Sequence, residues 1–164
     1  MAAFALRAAT ASDARLLTDM MVEAANWDRL AARNRVEVIA DSAHSRYVMG
    51  WKRPSDEGVV AVDTEVDESI GACWFRLFPT DAPGYGFVAV GVPELILGVK
   101  PYWRAQGVGR ALLRETIGLA ARRGYNRIAL SVESGNHAVN LYRSEGFAPV
   151  ARVGTRETMV KNLR

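Results

Sequence analysis

Ligating side chains are scarce in this chain. Its 164 residues hold one cysteine, Cys73, and two histidines, His44 and His137. A lone cysteine excludes an internal disulfide, and these three residues form no Cys/His cluster with the spacing of a zinc site, so no metal is expected. Long apolar runs are missing as well. No stretch approaches the roughly 18 apolar residues of a membrane span, and the opening MAAFALRAAT runs into acidic Asp13 without a signal-peptide pattern. No membrane partner is therefore expected, and the expected setting is reducing and cytoplasmic. Blocks of like charge are also absent: the net charge is +3 and the arginines are dispersed. That points to ordinary surface solvation and away from nucleic acid. No repeat, low-complexity tract or linker divides the sequence. A chain of this length buries about 70% of its unfolded surface, so residues 1–164 are expected to form one domain.

What is present is an alternation of strand and helix signals. FALRAA reads as a first strand. Ser12 and Asp13 offer a cap for an amphipathic helix with Ala14, Leu17, Met21 and Ala24 on one face. A second helical stretch runs from about Val36 to His44, and the turn RPSDEG leads to two strands, VVAVDTE and SIGACWFRLF. After the loop PTDAPGYG, the apolar run ELILGV predicts a strand closed by Pro101. RAQGVGRALLRETIGLAARRG predicts a loop and a long helix with Arg110, Arg114 and Arg122 on its wet face, ended by Gly124. NRIALSVE alternates with period two, Asn136 caps a short helix ended by Gly146, and FAPVARV and ETMVKNL close the chain as strands. The class is α/β with mixed strand directions.

The hexapeptide RAQGVG, Arg104 to Gly109, lies between a strand and a helix whose first amides have no intrahelical partner. Glycines at 107 and 109 leave room for an anion to approach the backbone, and the helix dipole favours it. A diphosphate fits such a loop. A dinucleotide fingerprint would need a third glycine where Leu112 stands, and a nucleoside-triphosphate loop would need GK followed by Ser or Thr. The remaining alternative is a pair of glycines that only shapes a tight turn.

The stretch ELILGVKPYWRAQGVGRALL resembles the acyl-CoA-binding motif of the GNAT superfamily. SVESGNHAVNLYRSEGF is similar to the strand and helix that follow it there. LRAATASDARLL and TMVKNL resemble the family's first strand and helix and its last strand, and only the region from about Asn26 to Val92 carries no family pattern. The resemblance implies a central mixed, mostly antiparallel sheet with helices on both faces and a splayed strand pair that admits acetyl-CoA. It also implies transfer of an acetyl group to a primary amine.

On that resemblance the pantetheine arm would lie along Leu97, Gly98 and Val99. The pyrophosphate would rest on the amides of Ala105, Gln106, Gly107, Val108, Gly109 and Arg110, with the Arg104 and Arg110 side chains as charge partners. Gly98 marks a bulge or a close backbone approach, or else packs beneath a bulky neighbour such as Trp103. Tyr142 matches the family's tyrosine near the sulfur, as general acid or as core packing. Asn136 contacts the CoA arm or serves only as a cap. Glu94 is the first candidate for general base, the alternative being a solvated carboxylate, with Glu133 in reserve. Cys73, flanked by Ala72 and Trp74, is expected to be a buried structural thiol, and His137 to line a helix cap. Trp27, Tyr47 and Tyr85 are candidates for the wall of an acceptor pocket, with Asn26 and Asp28 as polar contacts to an amine; the rings serve equally well as packing. The acceptor is expected to be a small-molecule or peptide amine. A non-catalytic acyl-CoA-binding or interaction module, and a homo-oligomer, stay open.

Overall fold

Alternation along two central strands builds both faces of the molecule. The computed structural model describes residues 3–164. Its first elements are strand β1 (Phe4–Ala8) and helix α1 (Ala14–Ala25). The stretch expected as one helix from Val36 to His44 is two, α2 (Arg35–Ala40) and α3 (Ser42–Ser45). The break falls at Asp41, whose carboxylate accepts the Ala43 N–H at 3.0 Å and so starts a new helix. Strands β2 (Glu57–Asp63) and β3 (Glu68–Arg76) then send alternate residues to opposite faces. Val59, Ala61, Cys73 and Phe75 enter one core cluster, while Val60, Ala72 and Trp74 enter another.

Strand β4 (Glu94–Val99) leads to helix α4 (Val108–Arg122), strand β5 (Arg127–Glu133) and helix α5 (Ala138–Ser144). Strands β6 (Ala148–Val153) and β7 (Arg156–Asn162) follow. The sheet order is β1-β2-β3-β4-β5-β7-β6, antiparallel throughout except for β4 beside β5. Helix α4 packs Val108, Leu112, Leu113 and Ala120 into the first cluster. Helix α1 covers the other face with Leu17, Met20 and Met21. The mixed, mostly antiparallel sheet with helices on both faces is thus present as expected.

The feature that makes a site is where pairing stops. Strands β4 and β5 hold register only at Glu94 and Ala129, where the Ala129 N–H reaches the Pro93 carbonyl at 2.9 Å. Beyond that point the ladder is lost, and a V-shaped groove opens toward Val99 and Glu133. Gly98 stands on one wall, and the close-approach alternative holds there. A Cβ at this position would lie 2.2 Å from the Met20 carbonyl oxygen, so helix α1 itself requires the glycine, and Trp103 is not the neighbour concerned.

Candidate active site

The groove encloses about 740 Å³ and runs from the loop before α4 to the floor at Glu94. Its walls are β4 from Glu94 to Val99, the start of α5 with Asn136, Ala138, Leu141 and Tyr142, and the end of β5. Arg104, Ala105, Gly107, Gly109 and Arg110 form its mouth.

At the mouth, Ala105 (φ 59°) and Gly107 (φ 85°) both take the left-handed conformation, and Gly107 is the residue from which α4 starts. The first intrahelical bond runs from the Ala111 N–H to the Gly107 carbonyl, at 3.1 Å, so the amides at 108–110 precede the helical ladder. Gly109 carries the most information here. A Cβ on it would meet Leu141, Leu97 and Val99 at 3.5–3.8 Å, ordinary contacts that the protein alone tolerates. The fold does not need glycine at 109, whereas a ligand lying on the backbone would, and the loop therefore fits a pyrophosphate. The two arginines are less free than the sequence suggests. Arg110 binds Glu145, which Arg114 also holds, and donates to Ser144 Oγ at 3.0 Å. Arg104 lies 3.7 Å from Glu23 and donates to the Val99 carbonyl at 3.3 Å. Gln106 turns back to the Tyr102 carbonyl at 2.7 Å, leaving its backbone to the loop.

At the floor, Glu94 is not a solvated carboxylate: it is 2% exposed. Its Oε2 accepts the Tyr47 hydroxyl and, at 3.0 Å, the Gly86 N–H. Its Oε1 is buried with no hydrogen-bond partner among the described residues. Burial raises its pKa to about 7, against the lowering effect of the two donors. Tyr47 is itself fixed: its hydroxyl accepts the Tyr85 N–H at 2.9 Å and its carbonyl accepts the Trp74 indole N–H at 2.9 Å. The buried pair Arg76–Asp56, at 2.9 Å, anchors this segment further, because Arg76 also donates to the carbonyls of Arg46 and Met49.

Tyr142 borders the groove from α5, packed edge-to-face on Phe147 with ring centroids 6.0 Å apart. Its hydroxyl makes no hydrogen bond among the described residues, and burial pushes its pKa well up. It therefore packs the core and also presents a held proton. Cys73 is buried and its thiol pushed up to about 12 by desolvation, consistent with a structural thiol. Asn136 Oδ1 accepts the Ala138 N–H at 3.0 Å in the turn that leads into α5, whose N-cap position is His137 rather than Asn136, and both residues line the groove. No group of three or more His, Cys, Asp or Glu residues placed to hold a metal is found among the described residues.

The groove continues into a polar chamber of about 340 Å³ bordered by Trp27, Asp28, Tyr85, His44, Glu133 and Arg156. Trp27 and Tyr85 both border this chamber and the groove. Tyr47 is buried and packed on Phe78 at 5.1 Å, and it also borders the groove, where its hydroxyl donates to Glu94. Asn26 is not available as an amine contact, since its side chain holds both the N–H and the carbonyl of Arg33. Asp28 accepts the Leu30 N–H at 3.0 Å as the cap of a short helical turn. Glu133, the reserve base, accepts the Trp27 indole N–H at 2.5 Å. Sequence reasoning missed Arg156 and gave His44 no role at the site. Arg156 is brought in by the register that sets it opposite Glu133. His44, paired with Asp41 at 3.0 Å, is brought in by the break between α2 and α3. Only the strand pairing would have revealed the first.

No helix among the described residues is long and apolar enough to cross a membrane. The model of the Acetyltransferase (GNAT) family matches residues 19–147. The mycothiol acetyltransferase of Jonesia denitrificans is 32% identical over 103 residues, which is 62% of this chain and 30% of that protein. The chain spans a quarter to about a third of the length of the curated relatives it matches. Among solved structures, the PaiA N-acetyltransferase from Thermoplasma acidophilum in complex with coenzyme A superposes with a TM-score of 0.71 at 18% identity, covering 98% of this chain and 99% of that one. A ribosomal-protein-alanine N-acetyltransferase from Brucella melitensis has a TM-score of 0.67 at 25% identity, covering 96% and 99%.

Proposed function

We propose, from the premise that this chain belongs to the GNAT family of acetyltransferases, that it transfers an acetyl group from acetyl-CoA to a primary amine by direct attack on the thioester. The observation that carries this is the buried Glu94, with its pKa near 7, at the floor of a strand-splayed groove whose mouth is a glycine loop shaped for a diphosphate. Acetyl-CoA supplies the activated acyl group and a thiolate leaving group.

The chain's own groups meet the remaining demands. Amides of Ala105 to Arg110 hold the pyrophosphate end, and the arm lies along Leu97, Gly98 and Val99 on the edge that β5 has left, where the Val99 carbonyl is shared with Arg104. A backbone N–H on the same edge stabilises the oxyanion that forms as the amine nitrogen bonds to the carbonyl carbon. Glu94, ionised near neutrality, takes the ammonium proton directly or through one water, and Tyr142, protonated at that pH, returns a proton to the departing sulfur. One C–N bond forms, one C–S bond breaks, and the protons balance. Asn136 borders the arm from the turn that leads into α5, and Trp27 and Tyr85 wall the acceptor chamber.

Release of free thiol from acetyl-CoA, followed against a panel of amines, tests this. Amine-dependent, saturable release is expected. Tight acetyl-CoA binding without release for any amine would establish instead the alternative, a non-catalytic acyl-CoA-binding module.

A further inference from the structure

Two arginines border the acceptor chamber. Arg33 lies 3.6 Å from Asp41 and 3.4 Å from His44 Nδ1, whereas Arg156, stacked on an aromatic wall residue, keeps most of its hydrogen-bonding capacity unspent. Arg156 opens β7, with its side chain 22% exposed, and its guanidinium carbon lies 4.0 Å above the centre of the Tyr85 ring. Of a guanidinium's five N–H donors, one group is committed: Nη1 donates to Ser131 Oγ at 3.0 Å. Glu133 forms an ion pair with it at 3.8 Å from Nη2, a charge pairing beyond hydrogen-bond distance that leaves the donors there unspent. The chamber's acidic groups are better occupied. Glu133 holds the Trp27 indole, Asp28 caps the Leu30 amide, and Asp41 receives the Ala43 amide and His44 Nδ1. A flat guanidinium stacked on an aromatic ring, with free edges, is preorganised for a carboxylate, which it grips with two parallel bonds.

We infer that Arg156, seated on Tyr85 and steadied by Ser131, forms a carboxylate subsite, and that the acceptor is an amine bearing a carboxylate, of the amino-acid class. This rests on the acetyl-transfer reading above and narrows its substrate. The chamber adjoins the groove that contains Glu94, so an acceptor anchored by its carboxylate on Arg156 directs its amine toward the base. Consistent with that closeness, the charge of Arg156 acts to lower the pKa of Glu94, Tyr47, Tyr85 and His44 alike. The subsite also explains the wall. Tyr85 supplies the platform, and its backbone N–H joins the Tyr47–Glu94 pair, so one residue links the anchor to the base.

The test compares each amino acid with its decarboxylated amine: L-phenylalanine with phenethylamine, L-methionine with 3-(methylthio)propylamine, L-histidine with histamine, and spermidine as a cation without an acid. Thiol release is measured for kcat/KM, and the same compounds are titrated into the CoA-loaded protein by calorimetry, a readout independent of turnover. At least one amino acid is expected to exceed its amine by about 10- to 100-fold in both measurements. In Arg156→Gln that preference falls to about one by loss of the amino acid alone, with affinity for CoA unchanged; Arg156→Lys keeps the charge without the fork and retains part of it. Preference for spermidine or for the decarboxylated amines, an equal loss for both members of a pair in Arg156→Gln, or no binding of any amino acid would overturn the subsite. Failure of the wild-type protein to bind acetyl-CoA would instead overturn the acetyl-transfer reading.

Discussion

The mouth and the floor of the groove are built by opposite means. The mouth is written in six consecutive residues, Arg104 to Gly109, and works through backbone amides that any sequence with the right glycines would expose. The floor and its adjoining chamber are assembled from side chains on separate segments: Trp27 after α1, His44 in α3, Tyr47 just beyond it, Tyr85 in a loop, Glu94 on β4, and Arg156 on β7. A backbone site can be held constant while the side-chain site beside it varies, which lets one fold serve many acceptors. The mouth should therefore fail through geometry, and the floor through chemistry.

The largest expected effect breaks the mouth. Gly109→Glu is predicted to abolish acetyl-CoA binding in calorimetry while circular dichroism stays native, because the space around a Cβ there is ordinary in the protein alone. Unchanged affinity in the folded variant would remove the diphosphate loop from the site. At the floor, Glu94→Gln should lower kcat by about 10²- to 10⁴-fold with acetyl-CoA affinity preserved, as for loss of a general base. The same variant separates a base from a packing residue by stability. The folded protein holds the Glu94 proton up to about pH 7 while an ordinary glutamate releases it near 4.5, so this group's contribution to stability falls as pH rises across that interval. Glu94→Gln should then raise Tm relative to wild type at pH 8 more than at pH 5; the reverse order would mean that Glu94 is not buried as a weak acid.

A smaller effect is expected between the two ends. Tyr142→Phe keeps the edge contact with Phe147 and removes only the hydroxyl. It should reduce kcat by roughly 10- to 1,000-fold without changing acetyl-CoA affinity, and full activity would leave Tyr142 with packing alone. The smallest belongs to the outer chamber. Asp28→Asn retains an acceptor for the Leu30 amide, so acceptor KM should rise by no more than about threefold, the scale of one exposed charge. A loss far beyond that in steady-state kinetics would make Asp28 a direct amine contact.

Legibility in the sequence followed the same division. The strand and helix order was readable because period-two runs such as RIALSVE and the 3.6-residue arc of α4 are local patterns, and the glycine loop was readable because it is contiguous. Glu94 could be named as an acid at a strand's start, but not its burial, which depends on the loop carrying Gly84 and Gly86 folding over it; a Cβ at Gly84 would lie 2.2 Å from Glu94 Oε1. Tyr47 was named for its polar tip, and it borders the groove, but the bond that tip makes to the Glu94 carboxylate was not legible. Arg156 carries no local pattern at all. Its place follows from pairing with β5, a contact between residues 23 positions apart that period-two alternation does not encode.

The floor centres on the Glu94–Tyr47 pair, and the pH–rate profile of acetyl transfer measured in wild type and in Tyr47→Phe examines its chemistry most directly. The Tyr47 hydroxyl donates to Glu94 and stabilises its charged form, which opposes the upward push of burial. The predicted wild-type profile rises with pH through a midpoint near 7, and in Tyr47→Phe that midpoint moves to higher pH because the donor is gone. A rate independent of pH between about 6 and 8, or the same midpoint in both proteins, would contradict Glu94 as the base.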